Sequence, residues 1–198
     1  MENRNFKDTG VVLIGGSAGS LKVLFELLPD LDEDLGFPII VVVHRKAAPD
    51  SHLESVFKKH TKLNAVEIED KMPLKANTIY LAPADYHVLL ETTNELALDY
   101  SEKLHYSRPS IDVTFQSGAE IFGSSAVALL LSGANHDGVQ GLKHIKSAGG
   151  TVLIQDPDTA EVDLMPREAT IQVIADYIIK PTEMAKFINK LANRIDHN

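Results

Sequence analysis

Short, near-continuous apolar blocks punctuate the chain at Val11 to Ile14, Ile39 to Val43, Thr78 to Leu81, Ala126 to Leu131 and Thr151 to Ile154. Apolar blocks without alternation are the pattern of strands covered on both faces, as in a parallel sheet. Between them the period becomes helical, over Ser20 to Leu28, Ser51 to Lys59, Ile111 to Phe122 behind a Ser110 cap, and Gly138 to Ala148. Toward the C-terminus Met184, Phe187, Ile188, Leu191 and Ile195 recur at three- and four-residue spacing, and Pro181 and Thr182 mark the start of that amphipathic helix. The segment HVLLETTNELALDY breaks the alternation and reads as a hairpin turning at Thr93 and Asn94. Together these elements predict an α/β fold: a doubly wound, mostly parallel sheet with helices on both faces and an antiparallel hairpin.

Composition narrows this picture. At 198 residues, with no repeat or linker tract, the chain suits one well-buried core, and residues 1–198 are expected to form a single domain. No run of about eighteen apolar residues occurs, and the opening MENRNFKDTG has no apolar segment to serve as a signal peptide, so a cytoplasmic location is expected. The absence of cysteine excludes disulfides, thiol catalysis and thiolate metal sites. The net charge of −9, with no dense basic cluster, disfavours nucleic acid and anionic lipid as partners.

Ligands of open α/β sheets bind at the carboxyl ends of the strands. Three polar residues stand at such ends: Ser17 after the first strand, His44 closing the second in IIVVVHR, and Asp137 after the most apolar strand in VALLLSGANHDG. A hydroxyl, an imidazole and a carboxylate are the parts of a nucleophilic triad. Gly15-Gly16-Ser17-Ala18-Gly19 fits G-x-S-x-G, the sharp strand-to-helix turn that lifts a serine hydroxyl clear of the backbone. A phosphate cradle is the rival reading of these glycines, but the chain has neither G-x-G-x-x-G nor a G-K-[ST] lysine, and its second strand ends in His44-Arg45 instead of a ribose-holding acid. Each residue also has a plainer reading. His44 alone fits a structural strand-end histidine, and no H-E-x-x-H or similar cluster gathers the histidines into a metal site. Asp137, followed by Gly138 and a helical pattern, fits a helix N-cap. The chain order Ser17, His44, Asp137 differs from the Ser-Asp-His order of the α/β-hydrolases, so the G-x-S-x-G match does not place this chain in that family.

From about Gly10 to about Leu191 the chain resembles the catalytic domain of the chemotaxis protein-glutamate methylesterase, CheB. The resemblance is carried by IGGSAGS, VVVHR, IYLAPADYHVLL, RPSIDVTF, LLLSGANHDGVQGL and MPREA, in that order. It implies a Ser17, His44 and Asp137 triad without cofactor or metal. It also implies hydrolysis of glutamyl 5-methyl esters on the cytoplasmic helices of chemoreceptors, with glutamine deamidation as a weaker second activity. Backbone N–H groups near Ala18 and Ala134 would form the oxyanion hole.

Two departures stand out. Where the family usually has Gly-Met-Gly, this chain has Gly133-Ala134-Asn135; if the turn needs a left-handed residue, asparagine is a tolerated, mildly strained choice there. The family's enzymes commonly carry an N-terminal receiver domain, whereas this chain begins within about ten residues of its first strand, so its control is expected to come from outside this sequence. Charge adds a constraint. A net −9 molecule repels glutamate-rich helices unless Arg45, Lys46, Arg108 or Arg167 frames the cleft. Two other functions remain open on sequence: a non-catalytic binding module of the same fold, and an esterase acting on another protein.

Overall fold

The computed structural model describes residues 9–45 and 53–192. Seven strands form one sheet, β1 (Val11–Gly16), β2 (Ile39–Val43), β3 (Asn64–Glu67), β5 (Thr78–Leu81), β8 (Ala126–Leu130), β9 (Thr151–Gln155) and β10 (Tyr177–Ile179), in the order β10-β9-β8-β1-β2-β5-β3. Every pairing in it is parallel. The strands β4 (Met72–Pro73), β6 (His87–Thr92) and β7 (Glu95–Asp99) make a small antiparallel sheet, with Thr93 and Asn94 at the β6–β7 turn as their spacing predicts.

Strand residues alternate between two apolar cores. One face of the sheet, with Val12, Ile14, Ile39, Val41 and Leu129, packs against α1 (Ser20–Leu27), α2 (Leu53–His60) and α6 (Pro181–Ala192). The other, with Val11, Leu13, Ile40, Val42 and Ala128, packs against α3 (Ile111–Phe122), α4 (Val139–Ser147), α5 (Leu164–Gln172) and the small sheet. Burial on both faces is why the central strands read as unbroken apolar blocks. The doubly wound prediction holds, and no helix among the described residues is long and apolar enough to cross a membrane.

Several elements escape the sequence pattern: β3, β4, β10 and α5. The strands β3 and β10 lie at the two edges of the large sheet and are only partly buried, and β4 is two residues long. Helix α5 buries only Met165, Pro166 and Ala169, too few positions to print a helical period. The predicted helix from Ser51 begins at Leu53 in the described residues, and Ile195 lies outside them.

Close packing at the carboxyl edge prepares the site. A Cβ built on Gly15 would overlap Ile111 Cγ2 and reach within 3.0 Å of Phe115 Cζ, so glycine at this position lets the start of α3 lie directly on the end of β1. Both strands flanking β1 end beside it, since Gly16 pairs with Val43 and Gly15 with Leu130.

Candidate active site

Parallel register brings the predicted residues to one edge. His44 N–H donates to Gly16 O at 3.2 Å, so the histidine continues β2 alongside the turn that carries Ser17. That turn is pinned on both sides: Ser17 N–H donates to Ser132 O at 2.9 Å, and Ser17 O accepts from Ser20 N–H and from Ser20 Oγ. Gly19, at φ +81, opens α1 in the left-handed region. The Ser17 side chain is partly exposed, and its hydroxyl makes no hydrogen bond among the described residues.

Asp137 is fully buried. Its carboxylate accepts four hydrogen bonds, from His44 Nε2 (2.7 Å), Ile111 N–H (2.7 Å), Ser110 Oγ (2.8 Å) and Asp112 N–H (3.0 Å). Burial pushes this carboxyl upward, but the bond from His44 and the N–H groups of Asp112 and Ile111 outweigh it and hold the pKa below its ordinary value. The carboxylate is therefore ionised and held rigidly toward the imidazole. His44 is itself mostly buried, its side chain 12% exposed.

Two capping expectations need correction. Asp137 does not cap the helix that follows it: Gly138, at φ +96, occupies the N-cap of α4 and no side chain bonds there. Ser110 stands at the N-cap position of α3, yet its hydroxyl turns to Asp137 and caps nothing. The carboxylates are exchanged between helices instead. Asp137, preceding α4, receives the first N–H groups of α3, while Asp112 in the first turn of α3 receives Gly141 N–H of α4 at 2.6 Å. Burial, with the charge of Asp137 adding to it, raises Asp112 to about 6 against the pull of the Gly141 and Gly138 N–H groups.

Asn135 is a further correction. It is absent from the left-handed residues, which among the described non-glycines are Lys71, Asn77, Asp85, His105 and Tyr106. Its side chain bridges the site instead: Oδ1 accepts Asp137 N–H at 3.1 Å, and Nδ2 lies 3.2 Å from His44 Nδ1. The N–H of Asp137 can only donate, so it fixes which end of the amide is oxygen. The hydrogen-bond network then assigns His44 the Nε2–H tautomer, with that proton on Asp137 and the lone pair on Nδ1.

The turn after β8 backs onto the serine. A Cβ on Gly133 would lie 3.0 Å from Ser17 Cβ and 2.5 Å from the buried Met165 Cε, and Met165 N–H donates to Gly133 O. Buried Gln155 accepts Ser132 N–H at 2.9 Å and holds the same turn from the other side. Ala18 and Ala134 are both exposed, and neither amide donates a hydrogen bond among the described residues. Two free N–H groups thus flank the serine turn.

Beside His44 opens a cleft of about 490 Å³, lined by His44, Arg45, Asp85, Lys103, Tyr106, Ser107, Arg108 and Pro109. Its arginines are committed. Arg45 pairs with Glu67 and also donates to Ala82 O, while Arg108 stacks on Tyr100, donates to the Tyr100 and Ser101 carbonyls, and lies 4.0 Å from Asp85. Of the other expected cations, Arg167 does not line this cleft and pairs with Asp163, and Lys46 lies outside the described residues. The sequence reading gave no site role to Ser110, Asp112, Asn135 or the buried His87: the first three bond Asp137, and His87 Nδ1 accepts Ser110 N–H.

The sequence profile of the CheB methylesterase family matches residues 12–188. A putative protein-glutamate methylesterase/protein-glutamine glutaminase of Leptospira interrogans is 37% identical over 180 residues, covering 91% of this chain and 93% of its own length. The protein-glutamate methylesterase/protein-glutamine glutaminase of Thermotoga maritima is 33% identical over 172 residues, which are 85% of this chain but 50% of that protein. The crystal structure of the Thermotoga maritima CheB methylesterase catalytic domain superposes with a TM-score of 0.88 at 31% identity, over 91% of this chain and 97% of that one.

Proposed function

The chain belongs to the CheB methylesterase family, and on that premise we propose that it hydrolyses glutamyl 5-methyl esters on chemoreceptors through Ser17, His44 and Asp137. One observation carries the assignment of roles: His44 donates from Nε2 to an ionised, four-times hydrogen-bonded Asp137, which leaves the Nδ1 lone pair as the base at the serine edge.

Ser17 Oγ attacks the ester carbonyl while its proton passes to His44 Nδ1. The imidazolium so formed is stabilised by Asp137 through the existing Nε2–H bond. The tetrahedral oxyanion is met by the N–H groups of Ala18 and Ala134, which have no acceptor to give up among the described residues. Collapse expels methanol with the proton from His44 and leaves an acyl-serine. Water then repeats the sequence, yielding the free glutamate carboxylate and restoring the hydroxyl. A glutamine side chain enters the same route with ammonia as the leaving group, more slowly because an amide carbonyl is the poorer electrophile.

The test is methanol release from a methyl-labelled receptor fragment, run beside Ser17→Ala. Release by the native chain and none by the variant supports the reading. Equal release by both, or none by the native chain against several methylated receptors, rejects it.

A further inference from the structure

In the resting site the lone pair that must take the serine proton already has a donor. Asn135 Nδ2 lies 3.2 Å from His44 Nδ1, and the orientation of the amide is fixed by the Asp137 N–H on its oxygen. The Ser17 hydroxyl, meanwhile, has no partner among the described residues. An imidazolium at His44 would aim Nδ1–H at the Asn135 amine, donor against donor. We propose that Asn135 is a positioning residue that holds His44 in its Nε2–H tautomer with Nδ1 unprotonated, and that it yields Nδ1 to Ser17 when the reaction begins. This rests on the triad reading above and assigns a role to the residue at which the chain departs from the usual glycine of its family.

The geometry gives Asn135 two separable functions. Its oxygen makes a local turn to Asp137 N–H, which is structural, and its nitrogen addresses the base. Aspartate keeps the first and inverts the second, since a carboxylate in place of the amine accepts from Nδ1–H and draws a proton onto it. The other described charges facing His44 are Asp137 across Nε2, and Arg45, Asp85, Lys103 and Arg108 in the cleft, all unchanged by the substitution.

Two readouts on Asn135→Asp test the proposal. Ring-nitrogen NMR of the resting protein, labelled at histidine, needs no substrate: at neutral pH the native chain shows Nδ1 unprotonated, and the variant shows His44 doubly protonated. The rising limb of kcat/KM against pH moves up by about one unit or more, which reads as a loss of about tenfold on the acid side of the native limb. If Asn135 serves only the turn, the variant keeps both the native ring spectrum and the native pH profile, which overturns the proposal while leaving the esterase reading intact. Should the native chain hydrolyse no ester, the ring spectra still decide the tautomer claim by themselves. Should the aspartate variant fail to fold, Asn135→Gly replaces it: its Nδ1 resonance moves to higher frequency as the bond to the lone pair is lost, and an unmoved resonance rejects the contact.

Discussion

In the proposed mechanism the hydroxyl, imidazole and carboxylate at residues 17, 44 and 137 share one proton path, and this makes a prediction about pairs of substitutions. Once Ser17 is gone, His44 has no proton to accept, so its removal adds little. Ser17→Ala and the Ser17→Ala/His44→Ala double variant are expected to lose nearly the same activity, on the order of 10³-fold or more, in steady-state methanol release. Losses that multiply would separate the two residues mechanistically. The three positions that meet at the carboxyl edge were legible in the sequence because each sits where an apolar block stops. Their supports were less so. Asn135 was expected to strain into the left-handed region on the strength of a family comparison, yet an asparagine two residues before an aspartate also fits a side-chain turn onto the backbone, and that is the geometry found. Ser110 and Asp112 were read only within their own helix. A linear pattern cannot show that their partner lies more than twenty residues away.

The paired starts of α3 and α4 form one electrostatic unit. Each helix presents unpaired N–H groups with partial positive charge, and each receives a carboxylate supplied by the other's segment. The two carboxylates repel, and the strain falls on Asp112, whose folded value of about 6 lies above its ordinary 3.8. A carboxyl raised in the folded state binds a proton there before it does when unfolded. Its contribution to stability therefore grows as pH falls from above 6 toward 3.8 and is flat outside that window. Asp137, lowered by its donors, acts in the opposite sense, and its stabilisation is lost only as pH falls below the ordinary carboxylate value. Asp112→Asn removes the first term and keeps an oxygen for Gly141 N–H. Thermal unfolding from pH 7.5 to 4 is expected to show the variant gaining on the native chain at the alkaline end, with the advantage vanishing near pH 4. A constant difference across the range would mean that Asp112 does not titrate there. At this scale the long central elements were readable from periodicity. The edge strands β3 and β10 and the helix α5 were not, because half-covered or weakly amphipathic segments bury too little to impose a period.

For the molecule as a whole, the net charge of −9 sets the long-range field. In the described cleft lining Arg45 is paired with Glu67 and Arg108 lies 4.0 Å from Asp85, while Lys103 lines the same opening. An acidic receptor helix is thus repelled over distances that salt screens within about 10 Å at 0.1 M. Turnover of such a substrate under kcat/KM conditions is expected to rise with ionic strength up to that range, while hydrolysis of a small uncharged ester stays level. A fall with added salt would reveal a positive docking surface that overrides the net charge. The doubly wound arrangement was legible because both sheet faces are covered. The choice of which loops meet at the carboxyl edge follows from strand order, β8 and β2 flanking β1, and no local pattern encodes strand order.

Asp137 is at once the partner of the imidazole and the acceptor for the first N–H groups of a helix that packs on the central strand. The Ser17 hydroxyl, by contrast, makes no hydrogen bond among the described residues, and the bonds that pin its turn are made by its backbone. The two are therefore unequal under evolutionary drift. A lineage relieved of the need for hydrolysis sheds the serine at no structural penalty, but loss of the aspartate would unseat α3 and expose the chain to proteolysis. Pseudoenzymes descended from this architecture are expected to retain the carboxylate as a fossil of their former chemistry, long after the nucleophile has gone.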